Sequence, residues 1–324
     1  MRLYPQNSGK FRIEWYFPSS IAGWEGESHK MHEMNKGAVI VISSHVVRGS
    51  VGNRAAVFAL EVLGRPVWAL PTIVLPWHPG HGPATRLRFP DDDFDQAIDD
   101  LIRAPWLGEV SAILSGYFGS ARQPAAIARL VEAAKKKNPD LIYVCDPVIG
   151  DLGGLYVPVE TATAIREQLI PLADLATPNR YELQWMAGRE LPSNQAIIEA
   201  AREFAPKRML VTSAVPMMAK GTGNLLLSGR SALLAEHRLI DNPPNGLGDL
   251  LAAVFLARLL EGLDEEKALR LATASVFEIL AQTAKRGGDE LTLESDASSL
   301  STPMAMVQMR RLLQPALRSP GNRP

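Results

Sequence analysis

The run Asn245-Gly246-Leu247-Gly248-Asp249, followed at once by the apolar stretch 250–260, puts two glycines and a carboxylate at the start of a helix. Glycines leave backbone N–H groups uncovered. The unpaired amides of a first helical turn, together with the positive end of the helix dipole, make a site for an anion. With a transferring phosphoryl group as that anion, Asp249 is placed to accept the proton of an attacking hydroxyl. The backbone at Gly246 and Gly248 would then stabilise charge on the phosphoryl oxygens. The same residues have a plain alternative, since aspartate is a favoured N-cap and glycine is common in loops.

Two further carboxylates invite the same question. Asn179 and Glu182 follow Thr177-Pro178. They either cap a helix over 181–186 as a capping-box-like pair, or share a face from which they hold water around Mg²⁺. Asp146 lies at the end of an apolar run, where aspartate is poor and Pro147 fixes an extended exit. It either terminates a strand or, beside a nucleotide, shares the ordering of Mg²⁺ and potassium with Glu182. The connection 71–90 is long for a compact domain and contains Trp77-His78-Pro79-Gly80-His81-Gly82. Its histidines lack a third ligand nearby and its prolines forbid a regular helix. A loop that closes over substrate and excludes water is the better reading.

These residues need elements to hold them. From residue 38 onward short apolar runs alternate with longer amphipathic ones, the pattern of parallel strands joined by crossover helices. Strands are predicted at 38–43, 67–70, 110–114, 141–145, 175–177 and 209–212, each rich in Val, Ile or Leu. Apolar residues recur three and four apart at Phe94, Ala97, Ile98, Leu101 and Ile102, and again at Ala126, Ile127, Leu130, Val131 and Ala134, which predicts two helices. Segments 224–228 and 231–235, separated by Gly229-Arg230, read as a hairpin that gives the sheet an antiparallel edge. Helices over 249–261 and 265–285 follow, parted by Gly262, and an amphipathic stretch spans 304–313. Ligands of an open parallel sheet bind beyond the carboxyl ends of its strands. Ser44, Tyr117, Asp146, Asn179 and Thr212 all come just after, or at, predicted strand ends.

Composition narrows the class without choosing the chemistry. With 34 Lys+Arg against 35 Asp+Glu and a formal net charge of -1, nothing calls for a nucleic-acid partner, and Lys135-Lys136-Lys137 reads as a solvated helix end. No apolar window reaches the roughly 18 residues of a membrane span, because Arg258 breaks the best candidate. The only cysteine, Cys145, sits in an apolar run and has no partner within the chain, which fits a core position in a reducing, cytoplasmic setting. Residues 1–34 are mixed polar and aromatic without strand or helix periodicity, and Lys10, Arg12 and Glu14 interrupt any signal-peptide core. They are expected to be an extension outside a single domain over 35–313, with a tail at 314–324.

Five stretches carry a family resemblance, in order and in register. They are Ser44-His45-Val46-Val47-Arg48-Gly49 with Gly52-Asn53-Arg54-Ala55-Ala56; Leu114-Ser115-Gly116-Tyr117; Cys145-Asp146-Pro147-Val148-Ile149-Gly150-Asp151; Tyr156-Val157-Pro158; and Thr177-Pro178-Asn179-Arg180-Tyr181-Glu182-Leu183. From about residue 39 to 294 the chain resembles the pyridoxal kinases of the ribokinase-like superfamily. The resemblance implies a three-layer α/β fold with a mostly parallel sheet between helices, ATP and Mg²⁺ with K⁺ as a further ion, and a homodimer. It implies that Ser44 hydrogen-bonds the pyridoxal ring, that Tyr117 and His78 belong to the substrate side, and that Asp249 activates the 5'-hydroxymethyl oxygen. Asp146 and Glu182 would organise Mg²⁺ and the ATP phosphates. Asp151, Tyr156, Asn179 and Thr212 match positions near the nucleotide, and 246–248 supply the anion hole.

The sequence departs from the family at two places. A Ser-Asn-His-Thr stretch of the family reads Pro76-Trp77-His78-Pro79 here, which removes a hydroxyl and an amide near the substrate. The threonine common in the anion-hole motif is Leu247, at a position that contributes backbone geometry. The alternatives are therefore a related small-alcohol kinase, such as a hydroxymethylpyrimidine kinase, and a non-catalytic vitamin B6-binding protein.

Overall fold

A computed structural model describes residues 2–5, 11–14 and 37–313. The expected tail 314–324 and most of the expected extension 1–34 lie outside the described residues. Two compact units divide at residues 36 and 37. In the first, β1 (Arg2–Pro5) pairs antiparallel with β2 (Phe11–Glu14). Periodicity assigns no element there, because four residues per strand are too few for alternation to stand out.

The second unit opens with β3 (Ala38–Val46), α1 (Asn53–Val62), β4 (Val67–Leu75), the two-residue β5 (Leu87–Arg88) and α2 (Asp91–Arg103). It continues through β6 (Val110–Ser115), α3 (Gln123–Lys137), β7 (Ile142–Cys145), a small pair β8 (Gly150–Asp151) and β9 (Gly154–Leu155), and α4 (Val159–Ala164). Then come β10 (Leu175–Ala176), α5 (Arg180–Ala187), α6 (Asn194–Ala201), β11 (Arg208–Ala214), β12 (Gly221–Ser228) and β13 (Ser231–Arg238). The unit closes with α7 (Leu247–Leu260), α8 (Glu265–Lys285), α9 (Ala297–Ser301) and β14 (Gln308–Leu313).

Ten strands form one sheet in the order β14-β13-β12-β11-β10-β7-β6-β3-β4-β5. The six from β11 to β4 are mutually parallel, as the crossover pattern requires. Both faces are covered, and the strands show it by period two. Ile40 and Ile42 join the core that packs on α3, whereas Val39 and Val41 join the core that packs on α1, α7 and α8. Cys145 is one of the buried residues, with its thiol pushed up to about 12 by desolvation. Helix α7 is buried continuously from Leu250 to Arg258, which explains why it is apolar all round rather than on one stripe.

Three elements differ from their sequence reading. The amphipathic stretch 304–313 resolves into an exposed lead-in, with Met304 and Met306 open to solvent, and the edge strand β14, antiparallel to β13. The sheet has an antiparallel strand at its other edge as well, since β5 pairs with β4. Helix α7 starts at Leu247, two residues before the predicted start, because Gly246 takes the capping position with a left-handed φ of 94°. A Cβ there would lie 2.1 Å from the Ser50 carbonyl oxygen, so only glycine fits.

Candidate active site

The carboxyl ends of the parallel strands open onto one cavity of about 560 Å³. Ser44 comes from the end of β3, and His78 from the loop after β4. Tyr117 follows β6, Asp146 follows β7, and Asp151 closes β8. Tyr156 follows β9, Asn179 and Glu182 open α5, and Thr212 lies in β11. Gly246, Gly248 and Asp249 sit at the start of α7. All twelve residues singled out from the sequence line this cavity.

The start of α7 is built for an anion. Gly246 offers no side-chain cap, and the first helical amide to find a carbonyl within the turn is that of Leu250, which donates to Gly246 O at 3.0 Å. The amides of Leu247 and Gly248 are left for another partner. A Cβ on Gly248 would meet nothing within 4 Å, so the missing side chain leaves open space beside these donors. Asp249 is the third helical residue and not the N-cap, which removes the simplest capping role for it. Its carboxyl is enclosed by protein on one side and opens onto the cavity on the other. Desolvation pushes its pKa up to about 6, against the opposing pull of the Gly52 and Asp249 amides. That value suits a proton acceptor near neutral pH.

Glu182 keeps both of its readings. It completes a capping box, with the Asn179 amide donating to Oε2 at 2.8 Å and Asn179 Oδ1 accepting from the Glu182 amide at 2.9 Å. Its Oε1 accepts from the Ile149 amide at 2.7 Å, and Asn179 Nδ2 donates to Gly150 O at 2.8 Å. These bonds tie α5 to the turn after β7. Val148 in that turn holds φ 45°, a left-handed conformation that is costly for a β-branched residue, by about 1–3 kcal/mol. Despite its amide partners, burial drives Glu182 up to about 7.

Asp146 is pushed well above the usual carboxylate range by desolvation and by the neighbouring Glu182 and Asp249 charges, while Thr177 Oγ1 donates to its Oδ1 at 2.9 Å. Buried carboxylates that resist ionisation for want of a counter-charge fit a cation. Among the described residues no group of three or more His, Cys, Asp or Glu could hold a metal alone. Mg²⁺ does not need one, because it keeps several waters and takes one or two carboxylates plus substrate phosphates. The donors present fit that ion, with Asp146 as the freer ligand and Glu182, its oxygens already engaged by amides, acting through water.

The remaining residues expected on the nucleotide side are held by their neighbours. Thr212 N–H donates to Pro178 O at 3.0 Å, which brings β11 beside Asn179. Tyr156 is raised by desolvation first and then by its hydrogen bond to Asp151. On the opposite side, the Tyr117 amide donates to Ser43 Oγ at 3.1 Å next to the buried Ser44. His78 Nδ1 accepts from the Gly80 amide at 3.0 Å, and burial lowers its pKa. The ring is therefore neutral with its proton on Nε2, a donor free for a ligand. Its loop is pinned at His81, whose Nε2 lies 2.7 Å from Glu290 Oε1.

Val51, Gly52, Leu75, Val148, Asn245 and Arg86 also line the cavity and were not singled out from the sequence. Gly52, Val148 and Asn245 lie within or beside the motifs quoted above, so proximity to those motifs was a usable signal. Arg86 carried none, being one arginine in a loop.

A carboxylate beside a helix start with free amides, facing two buried carboxylates across the ends of a parallel sheet, is the arrangement of a ribokinase-like small-molecule kinase. The phosphomethylpyrimidine kinase family model matches residues 107–293. Pyridoxal kinase PdxY of Rubrobacter xylanophilus is 34% identical over 281 residues, 85% of this chain and 97% of that protein. The PdxY of Granulibacter bethesdensis is 35% identical over 276 residues, 82% of this chain and 96% of that one. Among solved structures, Leishmania donovani pyridoxal kinase in complex with ADP and pyridoxamine superposes with a TM-score of 0.80 at 26% identity, covering 85% of this chain and 99% of its own. The chain belongs to the pyridoxal kinase family.

Proposed function

We propose that this protein transfers the γ-phosphoryl group of ATP to the 5'-hydroxymethyl group of pyridoxal, giving pyridoxal 5'-phosphate in vitamin B6 salvage. The observation that carries it is Asp249 inside the first turn of α7, with its pKa pushed up to about 6, beside the free amides of Leu247 and Gly248. Asp249 accepts the hydroxyl proton as the hydroxyl oxygen bonds to the γ-phosphorus and the bond to the ADP oxygen breaks. The amides receive the charge on the phosphoryl oxygens. Ser44, His78 Nε2–H and Tyr117 bind the pyridine ring side, and Asp151, Tyr156, Asn179 and Thr212 the nucleotide side. Asp146 and Glu182 hold Mg²⁺, which neutralises phosphate charge, with K⁺ as a further ion ordered by the same carboxylates. The protein works as a homodimer in the cytoplasm, a reading supported by family resemblance; among the described residues no helix is long and apolar enough to cross a membrane.

The Leishmania enzyme has also been solved in complex with ADP and pyridoxine. A second reading, a hydroxymethylpyrimidine kinase, is favoured by one feature: Pro76-Trp77-His78-Pro79 presents a single polar side chain to the substrate side. ADP release measured over pyridoxal, pyridoxine, pyridoxamine and hydroxymethylpyrimidine separates the two. The highest kcat/KM is expected for pyridoxal, and the lowest for that compound would overturn the assignment. No turnover of any of the four would leave only a B6-binding role.

A further inference from the structure

Four carboxylates line the cavity, Asp146, Asp151, Glu182 and Asp249, against one permanently charged cation, Arg86. The imbalance matters because the cavity must accept a polyanion. A metal held by Asp146 and Glu182 answers it on the nucleotide side only.

Arg86 lies at the other side, on the loop after β4. Its backbone is anchored on both flanks. Downstream, β5 pairs with β4 in the register Val74 with Leu87 and Ile73 with Arg88. The same register carried one residue further sets Arg86 beside Leu75, and both line the cavity, while Leu87 points away and is exposed. Upstream, Trp77 Nε1 donates to Gly82 O at 3.2 Å, and His81 contacts Glu290. Neighbouring arginines are engaged: Arg48 binds Asp289 at 2.7 Å, and Arg54 lies 3.7 Å from Glu294. Arg86 has no ion-pair or hydrogen-bond partner among the described residues. An exposed arginine is ordinarily a solvated surface group. This one is held at the mouth of an acidic cavity with its donor fork uncommitted, the arrangement that suits a phosphate.

We propose that Arg86 is a catalytic residue that binds the transferred phosphoryl group from the acceptor side, opposite the amides of Leu247 and Gly248. In the transfer, the acceptor oxygen forms its bond to the γ-phosphorus, its proton goes to Asp249, and the electron pair of the breaking bond leaves on ADP. Arg86 donates to the equatorial oxygens and remains on the phosphate of the product ester. It thus distinguishes the phosphorylated product from the unphosphorylated substrate. The inference rests on the pyridoxal kinase reading.

The test compares the full-length wild-type protein with Arg86→Gln and Arg86→Lys, measuring turnover and, by calorimetric titration, affinity for pyridoxal and for pyridoxal 5'-phosphate. For Arg86→Gln, a fall in kcat of about 10²-fold is expected, on the scale of lost transition-state donors. Affinity for pyridoxal 5'-phosphate should drop about tenfold or more while pyridoxal affinity stays within about twofold, since one contact to phosphate is removed. Arg86→Lys should recover part of both losses. Equal losses of both ligands in Arg86→Gln would mean a displaced loop and would overturn the assignment, as would unchanged product affinity and kcat. Absence of pyridoxal turnover by the wild-type protein would instead overturn the kinase reading itself.

Discussion

Asp249 and Glu182 are both carboxylates raised by desolvation, yet their partners assign them different work. Glu182 has each oxygen engaged by a backbone amide, so it is held in place and able to order water or a cation. Asp249 opens onto the cavity beside amides that have no carbonyl, so it is the group free to exchange a proton. Asp249→Asn should therefore lower kcat by about 10²–10⁴-fold, the usual weight of a general base, while leaving the fold intact. The wild-type pH profile carries a second check. A protonated carboxyl cannot accept the hydroxyl proton, so kcat/KM for pyridoxal should fall as pH drops through about 6. That acid limb should vanish from the residual rate of Asp249→Asn; its persistence there would assign the limb to another group. The sequence exposed these residues because motifs repeat at strand ends. It could not rank them, since a capping box and a metal-ordering pair have the same spacing until the hydrogen bonds are seen.

The elements show the same division between what pattern reveals and what it hides. Buried parallel strands were legible because a short run of Val and Ile bounded by polar residues fits little besides a strand covered on both faces, as at Val39 to Ile42. Strands β5 and β14 were not, because an edge strand of two residues, or one whose successive arginines Arg310 and Arg311 pair with Glu236 and Glu266, gives no alternation worth reading. The start of α7 lies two residues ahead of its predicted place because the left-handed Gly246, and not Asp249, makes the cap. This start also separates two glycines that look alike in sequence. Gly246→Ala forces a Cβ against the Ser50 carbonyl at positive φ, and should lower Tm by several degrees, from strain of about 1–3 kcal/mol. Gly248→Ala meets no protein atom and relieves the unfolded chain of entropy. It should leave Tm unchanged or slightly raised, by up to about 1 kcal/mol, while cutting kcat at least tenfold by crowding the phosphoryl oxygens. Thermal denaturation and turnover on the same two samples check both halves. A Gly248→Ala protein with full activity would remove the anion from this helix end.

At the scale of the whole molecule, the sheet gathers Asp146 and Glu182, from regions far apart in sequence, into a site whose charge the ligand-free protein does not balance. Folding therefore raises both pKa values, Glu182 to about 7 and Asp146 well above its ordinary value. A carboxyl whose folded pKa exceeds its unfolded one binds more protons when folded, so its contribution to stability is full at low pH and is lost as pH rises through the folded pKa. Histidines act in the opposite sense over part of this range. His45, His78 and His237 are all lowered by burial, so the unfolded chain takes up more protons than the folded one below 6.5. Above 6.5 the unfolded histidines lose the rest of their protons within about one pH unit, which raises stability by a few tenths of a kcal/mol each. Carboxylates held low, such as Glu203 paired with Arg189, titrate below about 4.5 and are silent here. Comparing the ligand-free with the MgATP-bound protein from pH 6.5 to 8 isolates the active-site pair, because the histidines contribute to both. Without nucleotide, Glu182 should cost on the order of 1 kcal/mol of stability across that interval, with Asp146 adding to the loss, which pulls Tm about 2–4 °C below the course the histidines alone would give. ATP with Mg²⁺ should remove that loss by supplying the missing counter-charge, so Tm over the interval should rise more, or fall less, with MgATP than without. Scans at pH 6.5, 7, 7.5 and 8, with and without MgATP, decide the matter. An identical change of Tm over the interval with and without MgATP would show that the pair is already ionised and balanced by groups other than the ligand.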